Sequence, residues 1–397
     1  MQKFYTWLAL LPLLCSCSNE DMAYTPVPTV SHEHLLNLPD VLYNYSDVAL
    51  PAYFLSNDNG PVPSSVNGFD NTPDTNPITN AGATLGRVLF YDVSLSANRT
   101  TACGTCHRPE NSFADSSPFS TGLYGQPTRR NSMTLINNRF YKRGHFFYDE
   151  RAATLEDQAL MPIVDVREMD LTMAQITQRV QQESYYPALF TAAFGSTQVT
   201  NEKIADALSQ FIRSMVVFNA KYDMGRAQVA NMLDDFPNFS EQENRGKQLF
   251  LTPVNQGGVG CYACHTTEAF VSPASGPVNN GLDLVSTTDL GAFEHYTDKP
   301  ELRGAYKIPT LRNINLTGPY MHDARFKTLA QVIEFYNTGV QNHAQLSPLL
   351  KGTDGLPRKL NLSEADKLAL LRFLFTLSDN SVFSDPRWLD PFINQHL

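Results

Sequence analysis

Two stretches of this chain repeat one another, and that repetition limits the possible folds more than any other feature. Gly86-Arg87-Val88-Leu89-Phe90 runs into Cys103-Gly104-Thr105-Cys106-His107, and Gly246-Lys247-Gln248-Leu249-Phe250 runs into Cys261-Tyr262-Ala263-Cys264-His265 at nearly the same distance. A Glu and a Phe follow each motif, Glu110 and Phe113 in the first copy and Glu268 and Phe270 in the second. Such self-similarity points to one unit duplicated in tandem, each copy sending a short helix into a cysteine loop. The periodic stretches elsewhere are helical. Thr200–Tyr222 carries Ile204, Leu208, Phe211, Ile212 and Met215 at three- and four-residue steps, and Ser363–Leu377 carries Leu368, Leu371, Phe373, Leu374 and Phe375 behind Ser363 as N-cap. No strand-rich stretch competes, so the expected fold is mainly α, with two related domains in tandem.

A Cys-x-x-Cys pair can be half a zinc site, a thioredoxin-like redox centre or a haem attachment, and the residue that follows separates these. It is His in both copies. Two thiols can hold a porphyrin through thioether bonds while the adjacent imidazole coordinates the iron. Four cysteines converging on zinc would leave His107 and His265 unexplained. A thioredoxin motif opens a helix after a strand, and no β pattern surrounds either copy. The reading is two covalently attached c-type haems, one per domain, held by Cys103 and Cys106 and by Cys261 and Cys264. His107 and His265 are the proximal iron ligands.

The N-terminus indicates the compartment. Residues 1–17 carry Lys3, the apolar run Phe4–Leu14 and small residues ending at Cys17. That is an export signal, too short for a bilayer, which needs about 20 apolar residues. Leu14-Cys15-Ser16-Cys17 resembles a bacterial lipobox, which makes Cys17 the expected lipid anchor on the periplasmic or outer membrane. Ser18-Asn19-Glu20-Asp21 resembles the acidic signal that carries some lipoproteins to the cell surface. Residues 18–77, rich in Pro, Asn, Ser and Asp, read as a tether and wrapping segment. The first domain is then 78–236, the second 237–378, and 379–397 a C-terminal tail. A net charge of -10 and a pI near 5.4 provide no basic field for a phosphate backbone, so nucleic acid is excluded as a partner. Six cysteines in an exported protein would ordinarily suggest disulfides. Here Cys15 leaves with the signal, Cys17 takes lipid and the other four take haem, so no disulfide and no free thiol is expected.

From about Ala83 to Leu377 the chain resembles the bacterial di-haem cytochrome c peroxidase family, including its MauG branch. The blocks that carry the resemblance are Arg130-Asn131-Ser132, the run from Phe147 through Tyr148-Asp149-Glu150-Arg151 to Ala159, Pro309-Thr310-Leu311-Arg312-Asn313, and Leu316 through Pro319-Tyr320-Met321-His322-Asp323. The resemblance implies two cytochrome c-like domains, a first haem that reacts with hydrogen peroxide, and a second that takes electrons from a small donor such as a cytochrome c. It implies that Gln158, Pro162 and Glu168 line the peroxide pocket, where O–O cleavage needs a group that removes a proton and returns it. Tyr148 stands where the family usually has an inter-haem Trp, and it relays an electron only by giving its phenolic proton to an acceptor. A calcium ion is implied between the domains, held by the Asn131 side chain and the carbonyls of Thr317 and Pro319.

Tyr148 is one departure from the family pattern, and two more matter. No His lies between Arg108 and Gly144, so the loop Ser120–Gln126 cannot supply the ligand that caps the first iron in members needing reductive activation; His145 is the nearest alternative. On the second haem the family's Met falls on Tyr336, on the apolar side of its helix with Val332 and Ile333. A phenolate ligand favours ferric and higher states, whereas Met raises the potential. Met321, His322, His343 or no sixth ligand remain open. The implied activity is peroxide reduction. A MauG-like oxidase of a protein substrate and an electron carrier without peroxide chemistry are the rivals, and a homodimer is left open.

Overall fold

The computed structural model describes residues 36–56, 64–272 and 276–393; the export signal and Cys17 lie outside them. The main helices are α1 (Asn80–Tyr91), α2 (Leu155–Val164), α3 (Met173–Gln182), α4 (Tyr186–Phe194), α5 (Asn201–Ser214), α6 (Glu241–Leu251), α7 (Leu329–Glu334) and α8 (Glu364–Phe375). Among the described residues there is no sheet, only isolated bridges such as Phe146 with Ala152. None of these helices is long and apolar enough to cross a membrane.

The repeated glycines repeat a helix crossing. α1 packs on α5 and α6 packs on α8. A Cβ added at Gly86 would fall 1.9 Å from the Ala207 carbonyl oxygen, and one at Gly246 would fall 2.0 Å from that of Ala369. Phe211 and Phe373, one turn further along α5 and α8, press on the same glycines. Only glycine lets the two backbones touch, which explains why both copies of the motif begin with it.

The buried apolar residues form separate cores. The first runs from Tyr45 to Val217 and takes in Val382 and Trp388 from the C-terminal tail, while the second runs from Ala220 to Leu377. A smaller third cluster joins Tyr53, Phe54, Val66 and Phe69 to Phe140, Val216 and Val271. The two outer ends of the described residues meet: Leu36 bridges Phe392, Asn37 N–H donates to the Pro391 carbonyl at 2.7 Å, and the Tyr45 hydroxyl donates to the Arg387 carbonyl at 2.6 Å.

α5 is shorter than its apolar pattern. Thr200 caps it, its hydroxyl accepting from Lys203 N–H at 3.3 Å, but the helix stops at Ser214 and a new turn starts only at Lys221. The chain between is claimed by a tertiary partner. Asn137 N–H donates to the Met215 carbonyl at 2.8 Å, and Val217 N–H donates to Asn137 Oδ1 at 3.1 Å. α8 is capped as expected, the Ser363 hydroxyl accepting from Asp366 N–H at 3.1 Å, but its buried face is Ala369, Leu370, Phe373 and Leu374, while Leu368 and Phe375 are exposed.

Candidate active site

Cys103–Cys106 forms one helical turn, and His107 follows it with its backbone N–H on the Cys103 carbonyl at 2.9 Å. His107 Nδ1 lies 2.9 Å from the Phe113 carbonyl, which can only accept. The proton is therefore on Nδ1, and Nε2 presents a lone pair, as an iron ligand must. Burial lowers the pKa of His107 and pushes the Cys103 thiol up to about 12 and that of Cys106 to about 11.

These three side chains form part of a cavity whose apolar wall includes Phe90, Leu135, Ala159, Leu208 and Ile212. Gln158 and Pro162 line it from α2, four residues apart and so on one face. Pro162 has no N–H, so the Gln158 carbonyl has no partner within the helix. Past α2 the chain turns tightly, Glu168 N–H donating to the Asp165 carbonyl at 2.9 Å, and Glu168 enters the same cavity. Burial and then the Asp165 charge raise its carboxyl to about 7, against a lowering by Arg151. An apolar slot with two thiols and an imidazole, and a carboxyl facing in, fits a haem with a small oxidant above it.

In the second copy, His265 Nδ1 is 3.1 Å from the Pro309 carbonyl, which fixes the same tautomer, and burial lowers its pKa to about 4. The loop after it is held from behind. Arg226 Nε donates to Glu268 Oε1 at 2.7 Å, the Tyr222 hydroxyl donates to Oε2 at 2.8 Å, and Arg312 Nε donates to the Glu268 carbonyl at 2.8 Å.

α7 ends in a π-helical turn, Phe335–Gly339, which carries Tyr336. Asn280 Nδ2 donates to the Tyr336 hydroxyl at 3.3 Å and reaches Met321 Sδ at 3.8 Å. Burial raises the Tyr336 phenol to about 12, the Asn280 bond opposing it and the Cys264 and Cys261 sulfurs adding to it. Tyr336 and Met321 therefore share one amide, and Tyr336 lies within electrostatic reach of the second cysteine pair. The histidine rivals are engaged elsewhere. His343 uses Nδ1 with Asn279 and Gln345 and Nε2 with Ser286, while His322 stacks on Tyr306 at 3.7 Å. His145 meets the Tyr296 hydroxyl at 3.2 Å and is not part of the first cavity wall. Asn280 lies in a loop with no motif around it, and nothing in the sequence singled it out.

Tyr148 packs edge-on to His322, ring centres 6.4 Å apart; burial and then the Asp323 charge raise its phenol. Asn131 N–H donates to the His322 carbonyl at 2.8 Å, which brings Asn131 to the loop bearing Thr317 and Pro319. Its Nδ2 donates to the carbonyls of Ser117 at 3.0 Å and Pro118 at 3.2 Å, leaving Oδ1 as its accepting end. The two cysteine pairs do not converge. Among the described residues the one set of three or more Cys, His, Asp or Glu ligand atoms within 4.8 Å is Asp149, Glu294 and His295, and Asp149 there is held by Arg130 and Arg151.

The profile of the di-haem cytochrome c peroxidase family matches residues 80–229. The chain is 30% identical to the methylamine utilization protein MauG of Methylophilus methylotrophus, over 76% of this chain and 84% of that protein. It is 31% identical to the cytochrome c551 peroxidase of Nitrosomonas europaea, over 64% of this chain and 71% of that protein. A solved MauG-like protein associated with microbial copper homeostasis superposes with a TM-score of 0.71 at 28% identity, over 87% of this chain and 99% of that one. The di-haem peroxidase BthA of Burkholderia thailandensis, at 22% identity, shares the fold with a TM-score of 0.62 over 78% of this chain and 88% of that one. Similarity of this extent to both MauG and the peroxidases makes the chain an oxidoreductase of the di-haem cytochrome c peroxidase family, whose membership implies two c-type haems.

Proposed function

We propose that this protein reduces hydrogen peroxide to water at its first haem, with electrons entering from a cytochrome c or similar donor through the second. One observation carries the reading: Gln158, Pro162 and Glu168 share a cavity with Cys103, Cys106 and His107. A haem held there supplies an iron on which peroxide is reduced. Glu168 takes the proton of the entering peroxide on its carboxylate and returns it to the departing oxygen. Gln158 orients the peroxide through its side-chain amide, and Pro162 keeps the wall apolar beside it. Tyr148 is the proposed relay, with His322 and Asp323 the groups nearest to accept its proton.

The domains proposed are 78–236 and 237–378, each with one haem; two separate cores support a division in two, but the second core begins at Ala220, and the first draws Tyr45 from the segment before it and Val382 and Trp388 from the tail. Calcium is proposed at Asn131, Thr317 and Pro319, supported by the bond from Asn131 to the adjoining loop; metal analysis after chelation should find about one calcium lost per chain. Export and lipidation at Cys17 are proposed from the N-terminal pattern alone. Fatty-acid labelling that vanishes in Cys17→Ala is the expected result.

A second reading is favoured by Tyr336 beside the second cysteine pair: a MauG-like oxidase that draws electrons from residues of a protein substrate. One equivalent of peroxide added to the ferric, haem-loaded protein separates the two. A long-lived species oxidised by two electrons supports the oxidase, rapid decay with donor oxidation supports the peroxidase, and no optical or EPR change defeats both. Tyr336→Met is expected to raise the second haem's reduction potential and create a methionine–iron band in the ferric spectrum. An unchanged spectrum and potential would remove Tyr336 as a ligand.

A further inference from the structure

The segment Ser120–Thr128, which lacks the capping histidine, is a closed hairpin. Thr121 bridges Pro127, Thr128 N–H donates to the Ser120 carbonyl at 2.9 Å, and Gly122 N–H donates to the Gln126 carbonyl at 2.8 Å. Its root is tied to the haem-attachment side of the first cavity. The Ser120 hydroxyl donates to Asp115 Oδ2 at 2.5 Å and lies 2.7 Å from the hydroxyl of Ser132, which lines that cavity together with Cys106.

Its tip is tied to the acid side. Leu123 N–H donates to the Glu168 carbonyl at 3.0 Å, and the Tyr124 hydroxyl donates to Asp170 Oδ2 at 2.7 Å. Between them Gly122 lies flush on the other loop: a Cβ there would fall 1.6 Å from the Arg167 carbonyl oxygen. No other residue type fits that approach without pushing the Glu168 loop away.

We infer that the hairpin is a fixed brace that sets Glu168 against the Cys106 side of the cavity, with Gly122 as the positioning residue, so that this loop neither caps nor uncaps the site when the second haem changes oxidation state. The inference rests on Glu168 being the proton carrier only for its kinetic consequence. The brace itself is a statement about two loops that move as one.

Hydrogen exchange on the haem-loaded protein tests it without peroxide. Amides of 120–127 should exchange at rates equal within about twofold in the ferric and half-reduced states. A change of about tenfold or more on reduction would overturn the brace. Tyr124→Phe, an exposed change that leaves the core intact, should loosen 120–127 and 165–170 together; loosening of the first alone would also overturn it. Gly122→Ala should slow the peroxide reaction by about tenfold or more and move its pH profile down from about 7 toward 4.5, with both haem spectra retained. A folded Gly122→Ala protein with the wild-type profile contradicts the positioning role. Should Glu168→Gln prove active while the exchange results hold, the catalytic reading fails and the brace stands.

Discussion

Glu168→Gln lowers the rate of the ferric protein with peroxide by about 10²-fold or more and abolishes the rise of that rate with pH. The sign follows from the environment of the acid. Burial and the neighbouring Asp165 raise the carboxyl to about 7 from an ordinary 4.5, so below 7 it is protonated and cannot accept the peroxide proton. The wild-type rate should climb as pH passes through about 7 and level off above it. Gln has the shape and the hydrogen-bonding capacity but no basic site, so its residual rate should be flat over the same range. Stopped-flow measurement of the second-order rate between pH 5 and 9 decides the matter. A Gln variant that keeps both the rate and the slope would show that the proton goes elsewhere.

The largest effect on stability is expected at Arg312. Its guanidinium is fully buried and donates to both oxygens of Asp223, at 2.9 and 2.7 Å, and to the Glu268 carbonyl. Asp223 is itself 4% exposed and otherwise receives only the Tyr53 hydroxyl and the Ala220 N–H. Arg312→Met removes the cation and strands a buried carboxylate, which costs about 3–5 kcal/mol. Denaturant unfolding of the haem-loaded protein should show that loss with an unchanged slope. A surface arginine is the control: Arg325 pairs with Asp283 and Asp323 at the rim, and Arg325→Met should cost about 1 kcal/mol or less. Because Arg312 also grips the loop following His265, its loss should disturb the second haem's spectrum before the first.

Much of the site was legible because its chemistry is local. Cys-x-x-Cys-His brings two thiols and an imidazole within five residues, whereas Gln158, Pro162 and Glu168 were legible only through the family resemblance. What required three dimensions was whatever is donated by backbone or by a distant loop. The carbonyls of Phe113 and Pro309, which set the tautomers of His107 and His265, belong to any residue type and leave no trace in composition. Asn280 reaches Tyr336 and Met321 across 56 and 41 residues, with no periodicity to announce it. Gly86 and Gly246 were visible as a repeat, but their purpose appears only where Ala207 and Ala369 press against them. The overlong helix from Thr200 has the same cause, since its apolar rhythm continues past Ser214 while Asn137 takes the backbone.

The contact of residues 382–392 with the first core bears on the order of assembly. Trp388 and Val382 are part of the first core, and the Trp388 carbonyl receives the hydroxyl of Tyr91 from α1 at 2.7 Å. Those contacts span nearly 300 residues, so the entropy of closing that loop must be met before they form. The first core, which packs against Cys103, is thus closed by residues that follow the whole of the second core in the chain.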